Sequence, residues 1–182
     1  MKVGIITKIG KNYGALLQAY ALRRVCEKKG AEAHVIKYTP KMSRDSYKVC
    51  KYKWRFRGTI VNIQSLLHYS ENKKSSERFL KFRDDEFDFL GNYNSYEEMK
   101  ALPPVCDVYI SGSDQVWNPD ISFDKAFYFS CIQKENVKLT SYAASIGLQA
   151  LPNELKSEFT RRLNRFDYIS VREKQAQNIL SE

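Results

Sequence analysis

Residues Lys2–Tyr38 read KVGIITKIGKNYGALLQAYALRRVCEKKGAEAHVIKY, and three consecutive parts of that stretch decide the fold. The first, KVGIIT (Lys2–Thr7), is a short β-branched run without polar alternation, as expected of a strand buried on both faces of a parallel sheet. After the loop KIGKNYG, Ala15, Ala19, Leu22 and Cys26 form one stripe of a helix running from about Gly14 to Lys29. Gln18 interrupts the stripe, and Gly30 supplies the stop signal. AHVIKY (Ala33–Tyr38) then reads as a second strand, completing a β-α-β unit whose crossover must be right-handed.

The rest of the chain repeats the alternation. VCDVYIS (105–111), LTSYAAS (139–145) and DYISV (167–171) are three further candidate buried strands. PNELKSEFTRRLNRF, between the last two, carries a helical stripe and places Pro152 in its first turn, where a missing N–H costs nothing. From Ile60 to Leu90 the pattern is helical but irregular. Its polar middle, SENKKSSER, is expected to break it into two helices, and the stretch of about 60–100 reads as a helical insertion. The fold class expected is α/β, a Rossmann-like, mostly parallel sheet flanked by helices, with residues 1–182 forming one domain.

Composition limits the functions available. The chain has 182 residues, 43% hydrophobic and 28% charged, which is that of a folded protein and not a disordered or collagen-like one. Cys26, Cys50, Cys106 and Cys131 lie far apart without CxxC or Cys/His spacing, so neither a zinc site nor a redox pair is indicated and no metal is expected. The N-terminus is neither a signal peptide nor a membrane span, which makes the cytoplasm the expected location.

The net charge of +9 is unevenly placed: residues 1–60 hold 15 Lys and Arg against 3 Asp and Glu. The excess peaks in KVCKYKWRFRG (Lys48–Gly58), where cations alternate with Tyr52, Trp54 and Phe56. As a strand this puts aromatics on one face and cations on the other. The plain reading is a solvated edge; the functional one is a surface for an anionic partner, a membrane face or acidic glycan ahead of nucleic acid.

In a parallel sheet every loop that follows a strand emerges at one edge, where open α/β folds bind ligands. Those loops carry Lys8–Gly14, Ser111–Pro119, Ser145–Gly147, and Arg172 with Glu173. SGSDQVWNP (Ser111–Pro119) holds more directed polar groups than a turn requires. Asn12-Tyr13-Gly14 and Arg172-Glu173 each open a helix, whose free N–H groups suit phosphate or carboxylate, and Arg172 adds a planar donor fork. Each residue also has a structural explanation. Gly14 suits a tight turn, Asn12 a helix cap, Gln18 a satisfied buried amide, Asp114 a turn cap, Trp117 a plug beneath it, and Arg172 a surface ion pair. GKNYG is neither GxGxxG nor a P-loop, so nucleotide binding gains no support.

MKVGIIT…NYGALLQAYAL, SGSDQVWNP, YAASIG and YISVRE, in that order from Lys2 to Glu173, resemble the N-terminal half of the polysaccharide pyruvyl transferase family. The resemblance implies a two-lobed, GT-B-like architecture with the active site between Rossmann-like halves. It implies transfer of the pyruvyl group of phosphoenolpyruvate to two hydroxyls of a sugar, as a ketal, with phosphate released and no cofactor. On that basis Arg172 is the catalytic candidate carried over from the family, and Asp114, by its position alone, is the catalytic candidate for the sugar hydroxyl. Asn12, Tyr13, Gly14, Gln18, Ser113, Gln115, Asn118, Ser145 and Gly147 are substrate-binding or loop-ordering candidates, and Trp117 is a candidate sugar platform. The partners implied are phosphoenolpyruvate and a sugar or lipid-linked glycan, with an anionic membrane surface as a further one.

Members of the family continue into a second half bearing a further Arg and a His. Neither His34, inside the second strand, nor His68, in the insertion, matches that His. The expectation is therefore a fragment of a longer chain, one half of a split enzyme that is inactive without its C-terminal half, or a catalytically silent lobe that serves as a binding module. A GT-B-like glycosyltransferase using a nucleotide-sugar donor is the remaining alternative.

Overall fold

The computed structural model describes residues 1–10, 12–40 and 69–181. The basic stretch Lys48–Gly58, His68 and the first part of the 60–100 stretch lie outside them. Five strands, β1 (Lys2–Ile6), β2 (Glu32–Tyr38), β3 (Phe89–Tyr93), β4 (Val108–Ser111) and β5 (Lys138–Ser141), form one sheet in the order β3-β2-β1-β4-β5. Every pairing is parallel. Among the described residues five α-helices accompany them: α1 (Tyr13–Lys28), α2 (Tyr69–Glu86), α3 (Tyr96–Ala101), α4 (Asn153–Leu163) and α5 (Lys174–Ser181).

β1 is central, which explains its unbroken apolar run. Val3 and Ile5 face one layer, with Leu16, Ala19 and Leu22 of α1 and Phe79 of α2. Ile6 faces the other layer, which α4, α5 and a short 3-10 turn (Lys125–Tyr128) fill with Phe127, Phe129, Phe159, Leu163 and Ile179. Alternate residues of a strand point to opposite faces, so a central strand must be apolar at every position. A Cβ on Gly4 would lie 2.8 Å from Cys106 Sγ, so β1 and the chain entering β4 pack at backbone distance.

Five expectations are corrected. SENKKSSER does not break a helix: Ser70–Arg78 lies within α2, whose exposed faces carry i,i+4 pairs such as Lys81–Asp85 at 2.8 Å while Phe79 is fully buried. Phe89–Tyr93, within the stretch read as helical, is edge strand β3; it pairs with Val35 and Ile36, and its register shifts beside Gly91. DYISV makes only single bridges, Thr140 to Tyr168 and Ala144 to Val171. Backbone bonds such as Ser141 N to Tyr168 O at 3.0 Å are supplemented there by side chains: Asp167 accepts the Leu139 amide at 2.9 Å and Ser141 donates to the Ser170 carbonyl at 3.0 Å. The strand LTSYAAS stops at Ser141 because Ala143 takes a left-handed φ of 50°. Pro152 is the residue before α4, one position earlier than its expected place in the first turn.

Candidate functional site

The chain winds outward from β1 through β2 to β3, then crosses back to β4 on the other side of β1. Successive connections therefore diverge at the carboxyl ends of β1 and β4, and a crevice opens there. The two strands leave it close together: Gly112 N donates to Ile6 O at 2.7 Å, and a Cβ at Gly112 would lie 3.1 Å from Thr7 Cβ.

Side chains join the loops at this edge into one layer. The buried Thr7 hydroxyl donates to Ser113 O at 3.0 Å and accepts from Gln18 Nε2 at 3.1 Å, which explains the polar break in the α1 stripe. Asp114 O accepts Ser145 N at 2.9 Å, and Ser145 O accepts Trp117 N at 3.2 Å, so SGSDQVWNP lies as an extra strand-like segment along YAASIG. Glu173 Oε1 then receives the Ser145 hydroxyl at 2.8 Å and the Ile146 and Gly147 amides at 3.1 and 3.3 Å. Gly147, with φ of 67°, is pressed against this layer; a Cβ there would lie 2.7 Å from Asn118 Nδ2.

A cavity of about 240 Å³ sits at the β1–β4 crevice, lined by Lys8, Asn12, Tyr38, Asp114, Ser122 and Phe127 among others. Lys8 Nζ donates to the Gln115 carbonyl and lies 5.6 Å from the centre of the Phe127 ring. Burial pulls its pKa below the ordinary lysine value, against the opposing pull of Asp114 and Asp124. Asp114 Oδ1 accepts the Gln115 amide at 2.6 Å. The Tyr38 hydroxyl donates to Asp124, whose other oxygen caps the 3-10 turn through Ala126 N at 3.0 Å. Burial, and next the bond to Asp124, raise the Tyr38 pKa, so this hydroxyl stays protonated. Asn12 caps α1, its Oδ1 accepting Gly14 N at 2.8 Å. Among the described residues the cavity is thus walled by an aromatic face, the Lys8 ammonium, the Asp114 carboxylate and neutral hydroxyls, with Asp124 behind Tyr38, a set able to orient a polyhydroxylated ring and accept a proton from it.

Of the residues singled out from the sequence, Asn12 and Asp114 line this cavity. Gln18 and Ser113 border a neighbouring groove between α1 and β5. Gln115 and Asn118 serve the loop itself: Asn118 Nδ2 donates to Gln115 Oε1 at 2.9 Å, and Asn118 Oδ1 accepts Asp120 N at 2.9 Å. Ser145 and Gly147 are bound to Glu173. Tyr13, half exposed, sets its ring edge against Phe79 at 5.1 Å. Trp117 has no exposed surface; it stacks on Tyr128 and meets Phe166 edge-on at 5.5 Å, so it offers no sugar a platform and belongs to the core. Arg172 stands outside the cavity with 51% of its side chain exposed, its Nε 3.6 Å from Glu173 Oε2.

Lys8, Tyr38, Asp124 and Glu173 join the layer without having been singled out. Lys8 had a signal, being the second residue past a buried parallel strand. Glu173 was read only as the neighbour of Arg172. Tyr38 and Asp124 are 86 residues apart, and nothing local to either announces the other.

A five-stranded, all-parallel sheet flanked by helices, with a cavity where the loops leave β1 and β4, defines a Rossmann-like α/β fold. The chain belongs to the polysaccharide pyruvyl transferase family, whose model matches residues 12–182. No curated protein and no solved structure matches it. Among the described residues no helix is long and apolar enough to cross a membrane, and no cluster of three or more His, Cys, Asp or Glu side chains could hold a metal ion.

Proposed function

We propose that this lobe supplies the acceptor-side wall of an active site that transfers the pyruvyl group of phosphoenolpyruvate to two hydroxyls of a glycan sugar. The observation that carries the reading is the cavity at the β1–β4 crevice with Asp114 beside Lys8; family membership supports the pyruvyl chemistry. Among the described residues the cavity sets the Lys8 ammonium against the Asp114 carboxylate, with Asp124 near enough to act on Lys8, which suits a neutral sugar better than a multiply charged phosphate. Its volume lies below the roughly 300–1,000 Å³ of drug-sized pockets, enough for one ring and too little for a nucleotide sugar.

In the proposed reaction Asp114 takes the proton of the first sugar hydroxyl as its oxygen bonds to C2 of phosphoenolpyruvate, while the terminal CH₂ takes a proton from water and becomes the methyl group, and Asp114 returns its proton to water to restore the balance. The C2–O bond to phosphate then breaks, the second hydroxyl adds to C2, and its proton leaves with phosphate. Arg172, half exposed at the same sheet edge beside Glu173 Oε2, is the group of this lobe suited to the donor's carboxylate or phosphate. The cationic donor contacts still required come from the C-terminal lobe. A glycan carried on a lipid, and an anionic membrane surface drawn to the basic first third of the chain, complete the proposed partners; vesicle sedimentation at rising salt tests the latter.

The test is to incubate the protein, together with a C-terminal lobe, with phosphoenolpyruvate and pyruvylatable glycans. Phosphate release in step with a pyruvate ketal on the sugar is expected. Absence of both from the assembled enzyme would overturn the proposal.

A further inference from the structure

Among the described lining residues, Lys8 is the charged group to which the proposed chemistry gives no task. It follows β1 directly, yet its Nζ reaches across the crevice to the Gln115 carbonyl, 107 residues away in the chain. Among the described residues that carbonyl is its only hydrogen-bond acceptor. The Gln115 amide meanwhile donates to Asp114 Oδ1 at 2.6 Å. Gln115 is thus held at both ends, its C=O by the ammonium and its N–H by the carboxylate. On the far side the loop is fixed by backbone bonds to Ser145. On the cavity side its ties are Lys8 and the Thr7 hydroxyl on Ser113 O.

We propose that Lys8 is a positioning residue for Asp114: its ammonium locks the Gln115 peptide across the β1–β4 crevice and so fixes the Asp114 carboxylate toward the acceptor hydroxyl. This rests on the reading of Asp114 as the hydroxyl's base. A methionine at position 8 would keep an unbranched side chain of similar length but lose the grip on Gln115, the cation beside the Phe127 ring and the charge acting on Asp114. Misplacement of a general base by an ångström can cost about a hundredfold in rate.

The groups facing Lys8 are Asp114 on the loop after β4, Asp124 ahead of the 3-10 turn, Tyr38 at the end of β2, and the Phe127 ring. Tyr38 stays neutral and Asp124 is engaged by Tyr38 and Ala126, so an alkaline loss of the lock comes from Lys8 itself. Burial lowers its pKa, so the lock releases at a lower pH than for a surface lysine. Arginine keeps its charge throughout that range.

The experiment measures pH profiles of kcat and of acceptor KM for the assembled wild-type enzyme, K8M and K8R. It also follows hydrogen exchange of the Gln115, Val116 and Trp117 amides in each protein. Expected are a tenfold to hundredfold fall in kcat for K8M with acceptor KM changed less than about threefold, faster exchange of those amides, and an alkaline limb moved upward in K8R with part of kcat restored. Unchanged exchange in a folded K8M, or an effect on KM alone, would overturn the positioning role. If the wild-type enzyme transfers no pyruvyl group, the transferase reading fails, and the amide exchange of K8M and K8R still decides whether Lys8 holds the loop.

Discussion

Glu173 Oε1 accepts the Ser145 hydroxyl at 2.8 Å, tying the start of α5 to the loop after β5. Because the same oxygen also receives the Ile146 and Gly147 amides, one carboxylate orders YAASIG, which in turn holds the Asp114 backbone. Hydrogen bonds to a charged group contribute roughly 1.5–3 kcal/mol each. Glu173→Ala is expected to lower unfolding stability by about 2–3 kcal/mol in urea titrations. Glu173→Gln, which retains an accepting oxygen, should lose about half as much; equal losses would mean that the charge is irrelevant.

Gly147 is held at a φ of 67°, where an added Cβ would meet Asn118 Nδ2 at 2.7 Å and Gln115 Cδ at 3.0 Å. Gly147→Ala therefore combines backbone strain with a displaced loop side chain. A loss of about 1–3 kcal/mol is expected from thermal or urea unfolding. A stability gain, as at an unstrained glycine, would show that the loop relaxes freely.

Trp117 is buried between Tyr128 and Phe166, and its indole N–H donates to Phe127 O at 3.4 Å. Trp117→Ala should cost about 3–5 kcal/mol of stability. Trp117→Phe should fold and leave the KM for glycan within about twofold of wild type, since a side chain without exposed surface makes no acceptor contact. A large rise in KM with stability intact would restore the platform role.

Glu158 binds Arg161 through two bonds of 2.7 Å and Arg162 Nε through a third, and Arg162 lies buried with its guanidinium 3.9 Å from the Phe123 ring centre. The Arg161 bonds, then the Arg162 bond, hold the Glu158 carboxyl down to about 2 from its ordinary 4.5. A folded-state pKa below the unfolded one gives stability that is present above about pH 4.5 and lost as pH falls toward about 2. Glu158→Gln should flatten that part of the acid limb in urea midpoints measured between pH 6 and pH 3, whereas an unchanged limb would assign it to other carboxylates such as Asp167.

The fold was legible where strands are buried on both faces: KVGIIT and VCDVYIS carry their parallel setting in their apolar runs. It was illegible at β3, where Phe89 and Leu90 precede Gly91 on an open sheet edge and follow a long polar helix, so neither alternation nor an unbroken apolar run marks the strand. It was also illegible in α2, where an all-polar run stays helical because only Phe79 and its neighbours on one face need burial. At the site, Asp114 and Asn12 were legible because they end strands or begin helices. Trp117 was misread because composition shows a large aromatic in a loop but not which side of the sheet it enters. The Tyr38–Asp124 and Lys8–Gln115 contacts join distant segments and exist only once the sheet order is known.

The central claim is that the β1–β4 cavity takes the acceptor and that Asp114 accepts the proton of its hydroxyl. The direct measurement compares kcat and acceptor KM of the assembled wild-type enzyme with those of Asp114→Asn, using phosphate release coupled to ketal formation. Loss of a general base predicts a fall in kcat of about 10²–10⁴-fold with the fold intact. An Asp114→Asn enzyme that turns over at the wild-type rate would contradict it.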